Sequence, residues 1–150
     1  PKNVIAVAVA DNPLGPFKDA LGRPLIDKAE GYIDPTVFVD DDGQAYLYFG
    51  NPHLWYVKLN DDMVSCAGDI AMEPTKPENY QEGPWFYKRN NLYYMMFAGM
   101  GKGGECLSYS TSTGPTGPWK YQGKIMEDQK LNSFTNPGGI IDYKGNSYLC

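Results

Sequence analysis

Apolar positions come in short runs separated by turn residues, the pattern of strands rather than of long helices. The opening "PKNVIAVAVADN" alternates and reads as a strand; it is too short to span a membrane and carries no cleavage pattern. Further along, Leu92 to Ala98 is apolar at both parities, as expected of a strand covered on both faces. Between such runs stand residues that tolerate tight turns. Asp42-Gly43 suits a turn with positive φ, and Asn90-Asn91 and Gly145-Asn146 accept the same region.

The hairpins repeat. "DPTVFVDDDGQAYLYFG" from Asp34, "EGPWFYKRNNLYYMMFA" from Glu82 and "NPGGIIDYKGNSYLC" from Asn136 align without gaps. Each opens on a polar residue, with a turn residue nine positions on (Gly43, Asn91, Gly145) and a tyrosine twelve positions on (Tyr46, Tyr94, Tyr148). The openers are 48 and 54 residues apart. A second element recurs between them: "DNPLGPFKDALGRPLI" resembles "TGPTGPWKYQGKIM", and "HLWYVKLNDDMVS" takes the intervening place. A repeat of about 50 residues holding several short strands marks a β-propeller blade. A β-sandwich would also supply short strands, without this registered repetition. The expected fold is all-β, an incomplete propeller of about three blade-equivalents. Its parts are outer strands in 1–31, a blade in 32–80, a second in 81–130 and an inner hairpin in 131–150.

Composition fits this picture, with 14% aromatic residues, seventeen Gly and twelve Pro. A net charge of −5 argues against a nucleic-acid footprint, and Lys88-Arg89 reads as a solvated turn tip. Cys66, Cys106 and Cys150 form no disulfide framework and no C-x-x-C pair, so no zinc site is expected. "DDDG" at Asp40 to Gly43 lacks the spacing of a calcium loop and reads as a solvated turn. "GMGKGGE" lacks the closing Gly-Lys-Ser/Thr of a phosphate cradle. No initiator Met is present and "GNSYLC" stops in mid-strand pattern, so both ends are expected to be cut.

Candidate chemistry rests on the openers. Equivalent residues of successive blades converge at the end of a propeller's axis, so Asp34, Glu82 and Asn136 are expected to face one concave site. Two acids there suit glycosidic hydrolysis: one protonates the leaving oxygen, another activates water or orients its neighbour. The competing reading is local, since an acid before Pro or Gly-Pro often only satisfies nearby backbone N–H groups. His53, the single histidine, is expected at a pocket rim or in a structural role. Trp55, Trp85 and Trp119 are core candidates, although one at a rim, such as Trp85, could stack on a sugar.

"YIDPTVFVDDDGQAYLYFGN", "YQEGPWFYKRNNLYYMMFA" and "GIIDYKGNSYL" closely resemble the middle of glycoside hydrolase family 43. The likeness runs over almost the whole chain, including "AVADNPLGPFKDALGRPLI". It implies a five-bladed propeller acting as a β-xylosidase, α-L-arabinofuranosidase or arabinanase by inversion through three carboxylates. It implies Glu82 of E-G-P-W as the general acid, and Asp34 of I-D-P-T as the group that tunes that acid and orients substrate. Asn136, Trp85 and His53 are the expected substrate contacts.

The family's general base is an Asp on the first blade, upstream of anything here; no residue of this chain corresponds to it, and the chain alone is expected to be inactive. Pro137 stands where the family usually has a His near an axial metal ion, which argues against calcium there; no cofactor is expected. The expected ligand is a xylan- or arabinan-derived oligosaccharide, with no nucleic-acid or membrane partner. Open strand edges at both ends lead to an expected homo-oligomer closed in trans by strand pairing. A different class stands beside this reading: a non-catalytic propeller piece that binds carbohydrate or only assembles.

Overall fold

A computed structural model of the chain describes residues 3–27, 30–126 and 137–150. Every regular element among them is a strand. β1 (Ala8–Val9) and β2 (Lys18–Asp19) form a two-stranded ribbon. β3 (Thr36–Val39), β4 (Ala45–Phe49), β5 (Trp55–Leu59) and β6 (Cys66–Met72) form an antiparallel sheet in chain order. β7 (Tyr80–Arg89), β8 (Leu92–Met100), β9 (Glu105–Ser112) and β10 (Lys120–Met126) form a second such meander. β11 (Ile140–Tyr143) and β12 (Asn146–Leu149) make a hairpin. Two four-stranded meanders in succession, each led by one of the repeated hairpins, are propeller blades. This is the incomplete all-β propeller that the hairpin repeat predicts.

The turns explain the repeat. Asn90 and Asn91 have φ of 51° and 61°, the two left-handed residues that a tight hairpin turn needs. In the last hairpin the corresponding pair is Lys144 and Gly145, with φ of 50° and 79°. The turn is therefore one residue earlier than the predicted Gly145-Asn146, and Asn146 begins the returning strand, paired with Tyr143. The second repeated element also matches atom for atom. Gly15 donates to the Asn12 carbonyl and Gly117 to the Gly114 carbonyl, at φ of 85° and 84°.

β4 is buried throughout because its two faces serve two cores. Ala45, Leu47 and Phe49 pack with Ile5, Ile26 and Tyr32 beside the N-terminal ribbon. Tyr46 and Tyr48 face the next blade, in a core with Phe86, Tyr93, Met95, Phe97 and Trp119. Phe86 is the hub. Its ring stacks on Tyr48 at 4.1 Å, meets Trp119 edge-on at 5.2 Å and lies 5.6 Å from Phe38. Such aromatic pairs are worth roughly 0.5–1.5 kcal/mol each beyond their burial.

A polar clasp closes the turn end of the same interface. Lys88 Nζ lies 2.5 Å from Asp40 and 2.8 Å from Asp41, and covers the Tyr93 ring at 4.6 Å. The Tyr93 hydroxyl donates to Asp40 at 2.6 Å. One blade further on, Tyr87 donates to Asp142 and Arg89 to Ser147. The expected solvated tips at Lys88-Arg89 and Asp40 are thus corrected: their charges are used between blades, which adjacent-residue reasoning does not reveal.

Desolvation alone would raise the Asp40 pKa, but hydrogen bonds from Lys88, Tyr93 and the Asp41 N–H outweigh it and hold the carboxyl below its ordinary value. A carboxyl depressed in the folded state contributes stability that is present above its unfolded pKa of about 3.9 and lost as pH falls through the folded value. Urea midpoints should therefore drop as pH falls below about 4, and Asp40→Asn should flatten that drop. Parallel midpoint-against-pH curves for the two proteins would remove Asp40 from this role.

Candidate active site

Asp34 stands just ahead of β3 and Glu82 within β7, both at the end of their hairpins opposite the clasp. Neither lies in a regular ladder. Asp34 is exposed and has φ of 55°, rare for a non-glycine residue and rarer still ahead of a proline. Backbone strain of this kind collects at functional positions. Glu82 is half-buried and pairs with Ala98, but the register slips once between Tyr80 and Glu82 and again between Glu82 and Trp85. Two bulges thus flank the glutamate and re-aim its side chain, a device common beside active sites.

Tyr80 opens β7, two residues ahead of Glu82. Its buried hydroxyl donates to the Gly50 carbonyl at 2.7 Å. Burial above all, then the charges of Asp34 and Glu82, push its pKa well above the usual tyrosine range. A cleft of about 170 Å³ opens at Asp34 and is lined by Pro35, Gly83, Trp85 and Pro137; Gly83 and Trp85 follow Glu82 in β7, but Glu82 itself does not line it.

The other expected contacts fare differently. Trp85 lines this cleft, but its indole N–H donates to the Ile140 carbonyl at 3.1 Å and its ring packs near Gly139. His53 is exposed, two residues after Asn51 on the loop joining β4 to β5. Asn136 lies outside the described residues. Pro137 offers no ligating side-chain atom, and among the described residues no group of three His, Cys, Asp or Glu could hold a metal ion. No helix there is long and apolar enough to cross a membrane.

Sequence reasoning passed over Asn51. Its side-chain amide donates to Glu82 Oε2, and its Oδ1 accepts from Gln81 Nε2 at 3.2 Å. In sequence it looked like one more Asn-Pro turn residue, and nothing local marks it. Its backbone is fixed by the segment that leads into Asp34: Asn51 N–H donates to the Gly31 carbonyl and Gly50 N–H to the Ile33 carbonyl, each at 2.9 Å. The approach is so close that a Cβ on Gly31 would stand 2.2 Å from the Asn51 carbonyl oxygen.

A propeller in which two adjacent blades each carry an acid at the mouth of the leading hairpin defines the class of fold. The family model for glycosyl hydrolases family 43 matches residues 1–149, and the chain belongs to that family. The chain is 39% identical over 153 residues to the β-D-galactofuranosidase xynD of Aspergillus niger, covering 96% of this chain and 44% of that protein. The structure of an α-L-arabinofuranosidase from Clostridium thermocellum superposes with a TM-score of 0.87 at 36% identity, over 99% of this chain and 53% of that one. A β-xylosidase/α-arabinofuranosidase from a compost metagenome, solved with xylotriose, gives a TM-score of 0.80 at 27% identity, over 97% and 55%. The chain thus spans about half the length of these relatives.

Gly31→Ala tests the seam that carries Asn51. Gly43→Ala is its control, since Gly43 also has positive φ but open space around its Cβ position. Strain of about 1–3 kcal/mol applies to both. Gly31→Ala should lose more, because the new methyl meets backbone rather than solvent. Equal urea midpoints for the two variants would show that the seam yields freely.

Proposed function

We propose that these residues carry the proton-donor half of a glycosidase site that cleaves xylose- or arabinose-containing oligosaccharides with inversion. The observation that carries the reading is Glu82: a half-buried carboxylate, set between two bulges, at the repeat position that Asp34 occupies on the neighbouring blade. Glu82 protonates the departing glycosidic oxygen, Asp34 orients and tunes it, and a general base from another blade activates water. Family membership supports this assignment, as do relatives named for arabinofuranosidase and xylosidase activities, one of them holding xylotriose. Trp85 at the cleft wall, Asn136 at the third opener position and His53 on the loop joining β4 to β5 are the proposed sugar contacts. The runner-up, carbohydrate binding without chemistry, predicts heat on titration with xylo-oligosaccharides and no product.

In a full-length chain bearing these residues, Glu82→Gln should lower hydrolysis of xylobiose-type substrates by about 10²–10⁴-fold. Aryl glycosides with very good leaving groups should suffer far less, because their departure needs little protonation. Undiminished cleavage of xylo-oligosaccharides by Glu82→Gln would take the acid role from this residue.

A separate reading concerns the 150-residue polypeptide on its own. In both complete blades the second hairpin strand pairs with an outer strand, β4 with β5 and β8 with β9. β12 is exposed along its whole length and pairs only with β11 among the described residues, while the β1–β2 ribbon stands apart as an outer pair. We propose that β12 of one copy and the ribbon of another complete a blade between them. Sedimentation at tens of micromolar should show dimers or larger species; a strictly monomeric boundary rejects the pairing.

A further inference from the structure

Resting on the reading of Glu82 as proton donor, we infer that Asn51 is a positioning residue that fixes which oxygen of Glu82 carries the proton. The Asn51 amide nitrogen donates to Oε2. The carbonyl oxygen of a carboxylic acid is a stronger acceptor than its hydroxyl oxygen, so the amide N–H favours an unprotonated Oε2 and leaves the acid's proton on Oε1. Gln81 supports this orientation of the amide: Asn51 Oδ1 accepts from Gln81 Nε2 at 3.2 Å, and turning Asn51 alone would set NH₂ against NH₂.

The support behind Asn51 is rigid and spans both blades. Gly31 holds its backbone N–H from the blade that carries Asp34, and Tyr80 of the next blade bonds the carbonyl just before it. Register adds an independent observation. Gly31 and Asn79 stand three residues ahead of Asp34 and Glu82, each with positive φ, at 82° and 68°. Each carbonyl receives a backbone N–H from the end of its hairpin: Asn51 for Gly31, Met100 for Asn79. The two positions are equivalent, yet one carries an amide and the other an exposed thioether side chain without a hydrogen-bond donor. The amide occurs at the position that faces the glutamate.

During hydrolysis the Oε1–H bond breaks as the proton passes to the leaving glycosidic oxygen, whose bond to the sugar carbon also breaks. Water supplies the hydroxyl to that carbon, and its proton passes to the general base; proton return through solvent resets Glu82. The negative charge left on Glu82 is met at Oε2 by the Asn51 N–H.

The test compares Asn51→Ala with wild type in a full-length chain, using aryl xylosides or arabinofuranosides of good and poor leaving groups. Loss of the positioning donor should cut turnover of poor leaving groups about tenfold or more and leave good ones within about threefold. The leaving-group ratio is internal to each preparation, so incomplete folding of the variant does not alter it. An equal loss for all leaving groups, or no loss at all, overturns the assignment of Asn51. Glu82→Gln run alongside separates the two ideas. If it keeps full activity on poor leaving groups, the donor reading itself fails; if it loses that activity while Asn51→Ala shows no leaving-group dependence, only the positioning role fails.

Discussion

Phe86 stacked on Tyr48, and touching Phe38 and Trp119, is the contact on which the geometry of this chain depends. Sheets joined only by loops could slide past one another. Interdigitated rings remove that freedom, because a shift of one residue in β4 would exchange the side chains of one core for those of the other. Phe38 and Phe86 each stand four residues after an acid, Asp34 and Glu82. Packing the two rings against each other, tilted by 34° at 5.6 Å, therefore also ties together the strand segments that carry the two carboxylates. The apolar core does not merely stabilise the blades; it sets the relative position of groups drawn from two of them.

Polar groups finish each end of the interface differently. At the turn end, Lys88, Asp40, Asp41 and Tyr93 satisfy one another, and their charges are consumed in holding the sheets together. At the opposite end, Asn51 reaches across to one oxygen of Glu82. The same kind of side chain thus serves two ends. At the first end matched donors and acceptors make a clasp, and at the second an amide of one blade orients a carboxylate of the next.

The hairpins and their repetition were legible because each blade reuses local chemistry, with a turn residue nine positions and a tyrosine twelve positions after the opener. Those signals live within a few residues of one another. Asn51 on Glu82, and Lys88 on Asp40, join residues 31 and 48 positions apart, and each partner alone resembled an ordinary turn or surface residue. The left-handed backbone of Asp34 was hidden for another reason. Asp-Pro normally reads as an extended start of a strand. The surrounding packing imposes a conformation that the dipeptide would not choose.

That imposed conformation bears on why the acids sit where they do. A residue inside a regular antiparallel ladder points to one face or the other of its sheet, and a carboxylate there would enter an apolar inter-blade core or turn away from its neighbour. Asp34 escapes by adopting φ of 55° ahead of β3, and Glu82 by standing between two register slips in β7. Each departure costs local backbone energy. The aromatic packing below and the Gly31–Asn51 seam beside them offset that cost, since relaxing either irregularity would require both blades to move. Asp34 is held ahead of its ladder and Glu82 between two breaks in its own because the rest of the interface is too well packed to let the strands straighten.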